Sequence, residues 1–233
     1  MLLRIFVIYI ALCMPVVYAA GDFFSEADEL YENNQYIEVE NKSKNELKIN
    51  ANSLDAYFFL IAVRLKQGKF QEAIPYMENF ASIHNKIEEK QSQSIGHPYI
   101  LIDARYTALY YQLGQYYFEN KKYADANKWF MRAKSSYYND PMFNFFIGIS
   151  YKEVGEYADA IKHFQRQLEI NPEEPSPFYN IACTLAVQGN IAESIKWLSR
   201  AIEANPKYKE EARKDHDFDS IRNTVSFRKL IND

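Results

Sequence analysis

Histidine, cysteine and paired carboxylates are the side chains of this 233-residue chain that could do chemistry, and their spacing argues against it. His84, His97, His163 and His216 read in turn as a helix end, a loop, a helix surface and part of a C-terminal segment. No two of them have metal-ligand spacing, and Cys183 has no second thiol near it in the sequence with which to bind zinc. Cys183 has the side chain of a nucleophile, but no histidine is placed to activate it, so a small packing residue is the stronger reading. His216 between Asp215 and Asp217 suggests a proton relay, yet immediate neighbours on a helix do not face one another, and all three read as solvated. The acidic pairs Glu173-Glu174 and Glu210-Glu211 read as solubility features at helix ends and on exposed faces. A glycine-rich phosphate loop, a Walker-like Lys-Ser or Lys-Thr placed after such a loop and a Gly-x-Ser-x-Gly elbow are all missing from the sequence. The sequence therefore predicts no catalytic residue, no cofactor and no metal.

Composition narrows the class. Nineteen Tyr and 16 Phe stand against 7 Gly, 8 Pro, 2 Cys and 2 Trp, and 48% of residues are apolar. Collagen-like, disulfide-framed and disordered chains are excluded by these proportions. The 27 basic and 31 acidic residues leave a net charge of −4, without the basic excess that a phosphate backbone rewards. Nucleic acid is not an expected partner.

Residues 1–19 read as a secretory signal peptide. Arg4 precedes an apolar run from Ile5 to Tyr18 that ends in small residues, with Val17 and Ala19 at the two positions read before a cut after Ala19. The run is short for a spanning helix and carries Pro15, although an uncleaved anchor is the alternative. Lipidation at Cys13 is disfavoured, because Leu12 precedes it and Met14, Pro15, Val16 and Val17 follow. The expected location is exported and periplasmic, with a membrane role only if the N-terminal segment stays attached or lipidated. Cleavage would leave Cys183 alone, so stability must come from packing.

The rest of the chain repeats every thirty-four residues. Gly155 matches Gly189, and Asn171-Pro172 matches Asn205-Pro206. Gly114, Tyr117, Tyr123, Ala126 and Phe130 likewise match Gly148, Tyr151, Tyr157, Ala160 and Phe164. Ile147, Tyr151 and Val154, then Ile161, Phe164 and Leu168, have helical spacing on either side of a break at Gly155-Glu156. Each unit is thus a helix hairpin, closed by a glycine able to take the left-handed conformation and stopped by proline.

These residues resemble the tetratricopeptide repeat family, whose pattern alternates large residues at repeat positions 4, 7, 11 and 24 with small ones at 8, 20 and 27. Residues 175–208 supply Phe178, Ile181, Ala182, Leu185, Ile191, Ser194, Leu198, Ala201 and Pro206. Residues 141–174 depart at Asn144 and Gln167, and residues 107–140 end in Tyr138 where proline is usual. Two divergent units precede them over 20–87. In residues 54–87 Arg64 replaces an apolar residue and Pro75 should kink or shorten the second helix, while residues 20–53 carry Val39, Ser43 and Glu46 at atypical positions. Between these groups lies an insertion, 88–106: Glu88 to Gly96 reads as a loop, followed by a helix running from Pro98 to Glu119. The expected fold is all-α, a right-handed superhelical solenoid of five repeats whose last hairpin is capped by residues 209–233 through Ala212, Phe218, Ile221, Phe227 and Leu230.

In this family, positions 2, 5, 9 and 12 of the first helix line a concave surface that binds peptides or partner helices. Position 5 is aromatic throughout: Phe24, Phe58, Tyr111, Phe145 and Tyr179. The regular repeats add Met142 at position 2 and Gln115, Ile149 and Cys183 at position 9. Phe118, Lys152 and Ala186 follow at position 12. The resemblance implies a protein or peptide partner held by apolar anchors, with the alternative that these rings pack on their neighbours. Aromatics at position 5 also argue against a clamp for a chaperone's C-terminal carboxylate, which needs lysine there. The leading expectation is a non-enzymatic exported adaptor of the cell envelope. A self-associating structural protein and an envelope-polymer enzyme with an unrecognised site remain as alternatives.

Overall fold

The computed structural model describes residues 22–95 and 104–232, and among them the chain is all helix with no strand. The signal peptide, Cys13, His97 and the start of the long helix expected from Pro98 lie outside the described residues. The chain divides into two compact units between Tyr110 and Tyr111. Among the described residues no helix is long and apolar enough to cross a membrane.

The first unit contains α1 (Asp22–Glu32), α2 (Tyr36–Ile49), α3 (Leu54–Lys66), α4 (Phe70–Ile95) and the opening turns of α5 (Ala104–Glu119). Helix α3 is apolar nearly all round, and eight of its residues from Ala56 to Arg64 are buried, as expected of a helix enclosed by neighbours. Phe59 is its hub, with ring centroids of Phe24, Phe58, Phe23 and Tyr31 at 5.3 to 6.3 Å. Arg64, which interrupts the apolar pattern, reaches α2 and donates to both carboxylate oxygens of Glu40 at 2.7 and 2.8 Å. This pairing lowers the Glu40 carboxyl from 4.5 to about 2. The polar residue thus clips the two hairpins together instead of leaving a charge unpaired.

Two expectations change in α4. Pro75 does not shorten it, since the helix runs on to Ile95, and the polar stretch from Glu88 onward is helical rather than a loop. The reason is local: Pro75 sits close to the N-terminus, and no Gly or Pro follows it before Gly96 in a run rich in Glu, Lys and Gln. His84 consequently lies within the helix, not at its end. It is buried, and its Nδ1 is 2.7 Å from the Tyr110 hydroxyl.

The second unit contains the remainder of α5, α6 (Tyr123–Tyr137), α7 (Pro141–Glu153), α8 (Tyr157–Ile170), α9 (Ser176–Gln188) and α10 (Ile191–Ala204). It closes with α11 (Lys207–Lys214), a 3-10 turn (His216–Phe218) and α12 (Val225–Asn232). Small residues at position 8 work as the pattern implies. A Cβ on Gly114 would sit 2.5 Å from Phe130, and one on Gly148 would sit 2.6 Å from Phe164, so only glycine lets each ring cross the partner helix. Gly189 ends α9 at φ +84°, the left-handed cap that the hairpin turn requires. Asp140 starts α7 by accepting from the amides of Met142 and Phe143, with Pro141 in the first turn.

The candidate partner-binding face

The first helices of the hairpins carry the candidate face, and the structure sorts its residues into three groups. The first is interior. Phe58 is buried on Phe59, and Tyr111 is 3% exposed, ringed by Tyr137, Phe143, Phe130 and Phe146 at 4.6 to 6.4 Å. Burial raises the Tyr111 phenol, and its hydroxyl finds no hydrogen-bond partner among the described residues. The Tyr111 ring joins α5 to α6 and to α7 of the next hairpin.

The second group is accessible. In the first unit Phe24 is half-buried, leaning on Phe59. In the second unit Gln115, Phe118, Phe145 and Ile149 are half-buried and Met142 is 51% exposed. Phe118 and Phe145 both meet the edge-on ring of Phe146, at 5.0 and 5.6 Å. Part of each ring stays exposed.

The third group is covered by the chain itself. Tyr179 is buried, stacked on Tyr208 at 4.6 Å and meeting Phe218 edge-on at 5.7 Å, and its hydroxyl donates to Asp215 Oδ2 at 2.8 Å. The buried Cys183 thiol lies 3.7 Å from the same oxygen. Lys152 donates to Asp217 Oδ2 at 2.5 Å and lies 3.3 Å from Glu153. Burial would lower the Lys152 ammonium, but Asp217 prevails and raises it. Burial, reinforced by Asp215 and Asp217, pushes the Cys183 thiol well up, so it is no activated nucleophile.

Asp215 and Asp217 were expected in solvent, and the structure corrects this: both side chains are engaged, and only His216 faces water, 3.0 Å from Asp219. The helical reasoning failed because Asp215 is extended, at φ −74° and ψ 125°, which turns both carboxylates to one side. Cys183, Asp215 and Asp217 bring ligand atoms within 4.8 Å of one another, the one such group among the described residues. A metal ion does not fit there, because the Lys152 ammonium already holds the cation position against Asp217.

His163 also moves, from an expected helix surface to a buried site. Asn144 Nδ2 donates to the carbonyls of Tyr138 and Asp140 at 2.8 and 2.9 Å, leaving its Oδ1 to accept from His163 Nδ1 at 2.8 Å. Gln167 Nε2 donates to the Pro141 carbonyl at 3.0 Å. Both departures from the repeat pattern, Asn144 and Gln167, therefore belong to one polar cluster between α7 and α8. A sequence pattern written in sizes alone gave no signal of it.

Comparisons agree with the hairpin geometry. Models of the tetratricopeptide repeat match residues 107–140 and 147–209. No curated protein sequence matches the chain. The fold is similar to YrrB, described as a tetratricopeptide repeat protein with an unusual peptide-binding site, at TM-score 0.58 and 19% identity over 83% of this chain and 91% of that one. It is also similar to MamA, at TM-score 0.50 and 18% identity over 81% and 92%, and to a MamA point variant at 0.54 and 16% over 79% and 91%. At these identities the likeness establishes the fold: an all-α stack of tetratricopeptide-type hairpins.

Proposed function

We propose that this protein is a non-enzymatic scaffold that holds a segment of a partner protein against the accessible first-helix face of its second unit. The observation that carries the reading is a pair of half-buried rings, Phe118 and Phe145, that both meet Phe146, with Gln115 on α5 and Met142 and Ile149 on α7 also accessible, on hairpins of a protein-binding type. A partner's apolar side chains would gain burial there, and Gln115 would bond its backbone. The peptide-binding site reported for the similar YrrB fold is consistent with this use. The signal-like residues 1–19 support an exported protein of the cell envelope, and the repeats divide into 20–87 and 107–208, around the insertion 88–106, with 209–233 as the cap.

A photo-crosslinking residue at Met142 should give partner adducts in the native host, while the same residue at Met131, equally exposed on α6, should give none. Adducts at Met131 alone would overturn the assignment. Because the anchors are apolar, complex formation should change little between low and high salt. Mass determination of the purified protein should find Ala20 at the N-terminus, and an intact Met1 would remove the cleaved-signal reading in favour of the anchored alternative.

A further inference from the structure

The covered end of this face is held by more than apolar contact. A cap needs only to shield the last hairpin, and Tyr208, Ala212, Ile221, Phe227 and Ile231 already do so by burial. Between them the chain leaves helical geometry at Asp215 and makes a directional set of polar contacts. Asp215 accepts from Tyr179, Asp217 accepts from Lys152, and Ser220 Oγ donates at 2.9 Å to the Ala186 carbonyl, which also takes the Gly189 amide, in the last turn of α9. Phe218, next in line, is fully buried beside Tyr179. Each contact fixes a register, as a bound peptide's contacts do.

We infer that Lys152, Tyr179 and Cys183 form a recognition site for a segment with the order acid, any residue, acid, aromatic, and that Asp215–Phe218 occupies it as an intramolecular ligand. The inference rests on the reading that this face binds protein segments, and it adds the chemistry of the segment bound. Lys152 makes the choice of an acid. Its side chain is only 11% exposed, so without a carboxylate opposite it the ammonium would be largely desolvated with Glu153 alone to compensate. Tyr179 supplies a neutral donor for the first acid and a ring face for the aromatic residue. Tethered on both sides by buried residues, the internal copy competes at an effective concentration in the millimolar range, so an outside segment must carry further contacts or meet a weakened copy.

The test uses the full chain and a fluorescent peptide of the sequence Lys214–Ile221, read by anisotropy. With Asp215→Asn, Asp217→Asn and Phe218→Ala combined, the protein should bind the peptide at least tenfold more tightly than the unaltered protein does. Adding Lys152→Met, or replacing both peptide acids by Asn, should remove most of that gain. A folded triple variant that binds no better than the unaltered chain overturns the inference, as does binding indifferent to Lys152 and to the peptide's charge. Should the triple variant lose its helical circular dichroism, the pair Asp215→Asn and Asp217→Asn, which keeps Phe218 packed, decides instead. A threefold gain supports the site, and no gain rejects it. Failure here with crosslinks at Met142 intact would leave the partner-binding face standing, whereas loss of both would remove the two readings together.

Discussion

Asn144 stands where a hairpin of this type usually carries a large apolar side chain, and the consequence is a titratable group in the core. Its amide nitrogen faces two carbonyls, which only accept, so its oxygen faces His163 and the imidazole must donate from Nδ1. Burial, with Lys134 and Lys162 nearby, lowers His163 from 6.5 to about 4, although Asp159 opposes the shift. A lowered histidine is neutral in the folded protein while the unfolded chain takes up a proton. Its contribution to stability is therefore complete above about pH 6.5 and is lost as the pH falls towards about 4, with a slope of at most ~1.4 kcal/mol per pH unit. His163→Gln keeps a donor for Asn144 without titrating. Its melting temperature should be flatter than that of the unaltered protein between those two pH values, and an equal slope would show that His163 does not set it. Glu40, lowered to about 2 by Arg64, acts in a separate window: its contribution is present above about pH 4.5 and is lost on further acidification.

Between helices, the deciding contact is a ring over a glycine. Phe130 on α6 crosses α5 at Gly114, and Phe164 on α8 crosses α7 at Gly148, each closer than a Cβ would allow. Gly148→Ala should destabilise the second unit by about 1 to 3 kcal/mol, as overpacking does in a dense core. Phe164→Leu should cost stability alone yet restore part of the loss when combined with Gly148→Ala. Thermal melts of the four proteins measure the coupling, and strict additivity would refute the contact as its cause. Spacing made these hairpins legible, because glycine and a ring recur thirty-four residues apart. The extent of α4 was less legible, since polar residues favour loops and long helices alike and only neighbouring packing decides.

For the molecule as a whole, the C-terminal segment closes one end of the candidate face, at Lys152, Tyr179 and Cys183. Its burial of Tyr179 and Cys183 predicts that ending the chain at Asn205 should lower the melting temperature by several degrees and speed Cys183 modification by a maleimide about tenfold or more, because the thiol loses its cover. Unchanged thiol protection would mean that α9 is shielded by something else. By itself, the sequence determined the hairpin, its thirty-four-residue period and the side of each first helix on which Phe24, Phe58, Tyr111, Phe145 and Tyr179 begin, since these follow from helical spacing, glycine and proline. Only the tertiary structure decided which of those rings is interior, and that His163, Asp215 and Asp217 are engaged rather than solvated. Burial depends on which neighbour arrives from elsewhere in the chain, and a periodic pattern carries no record of that.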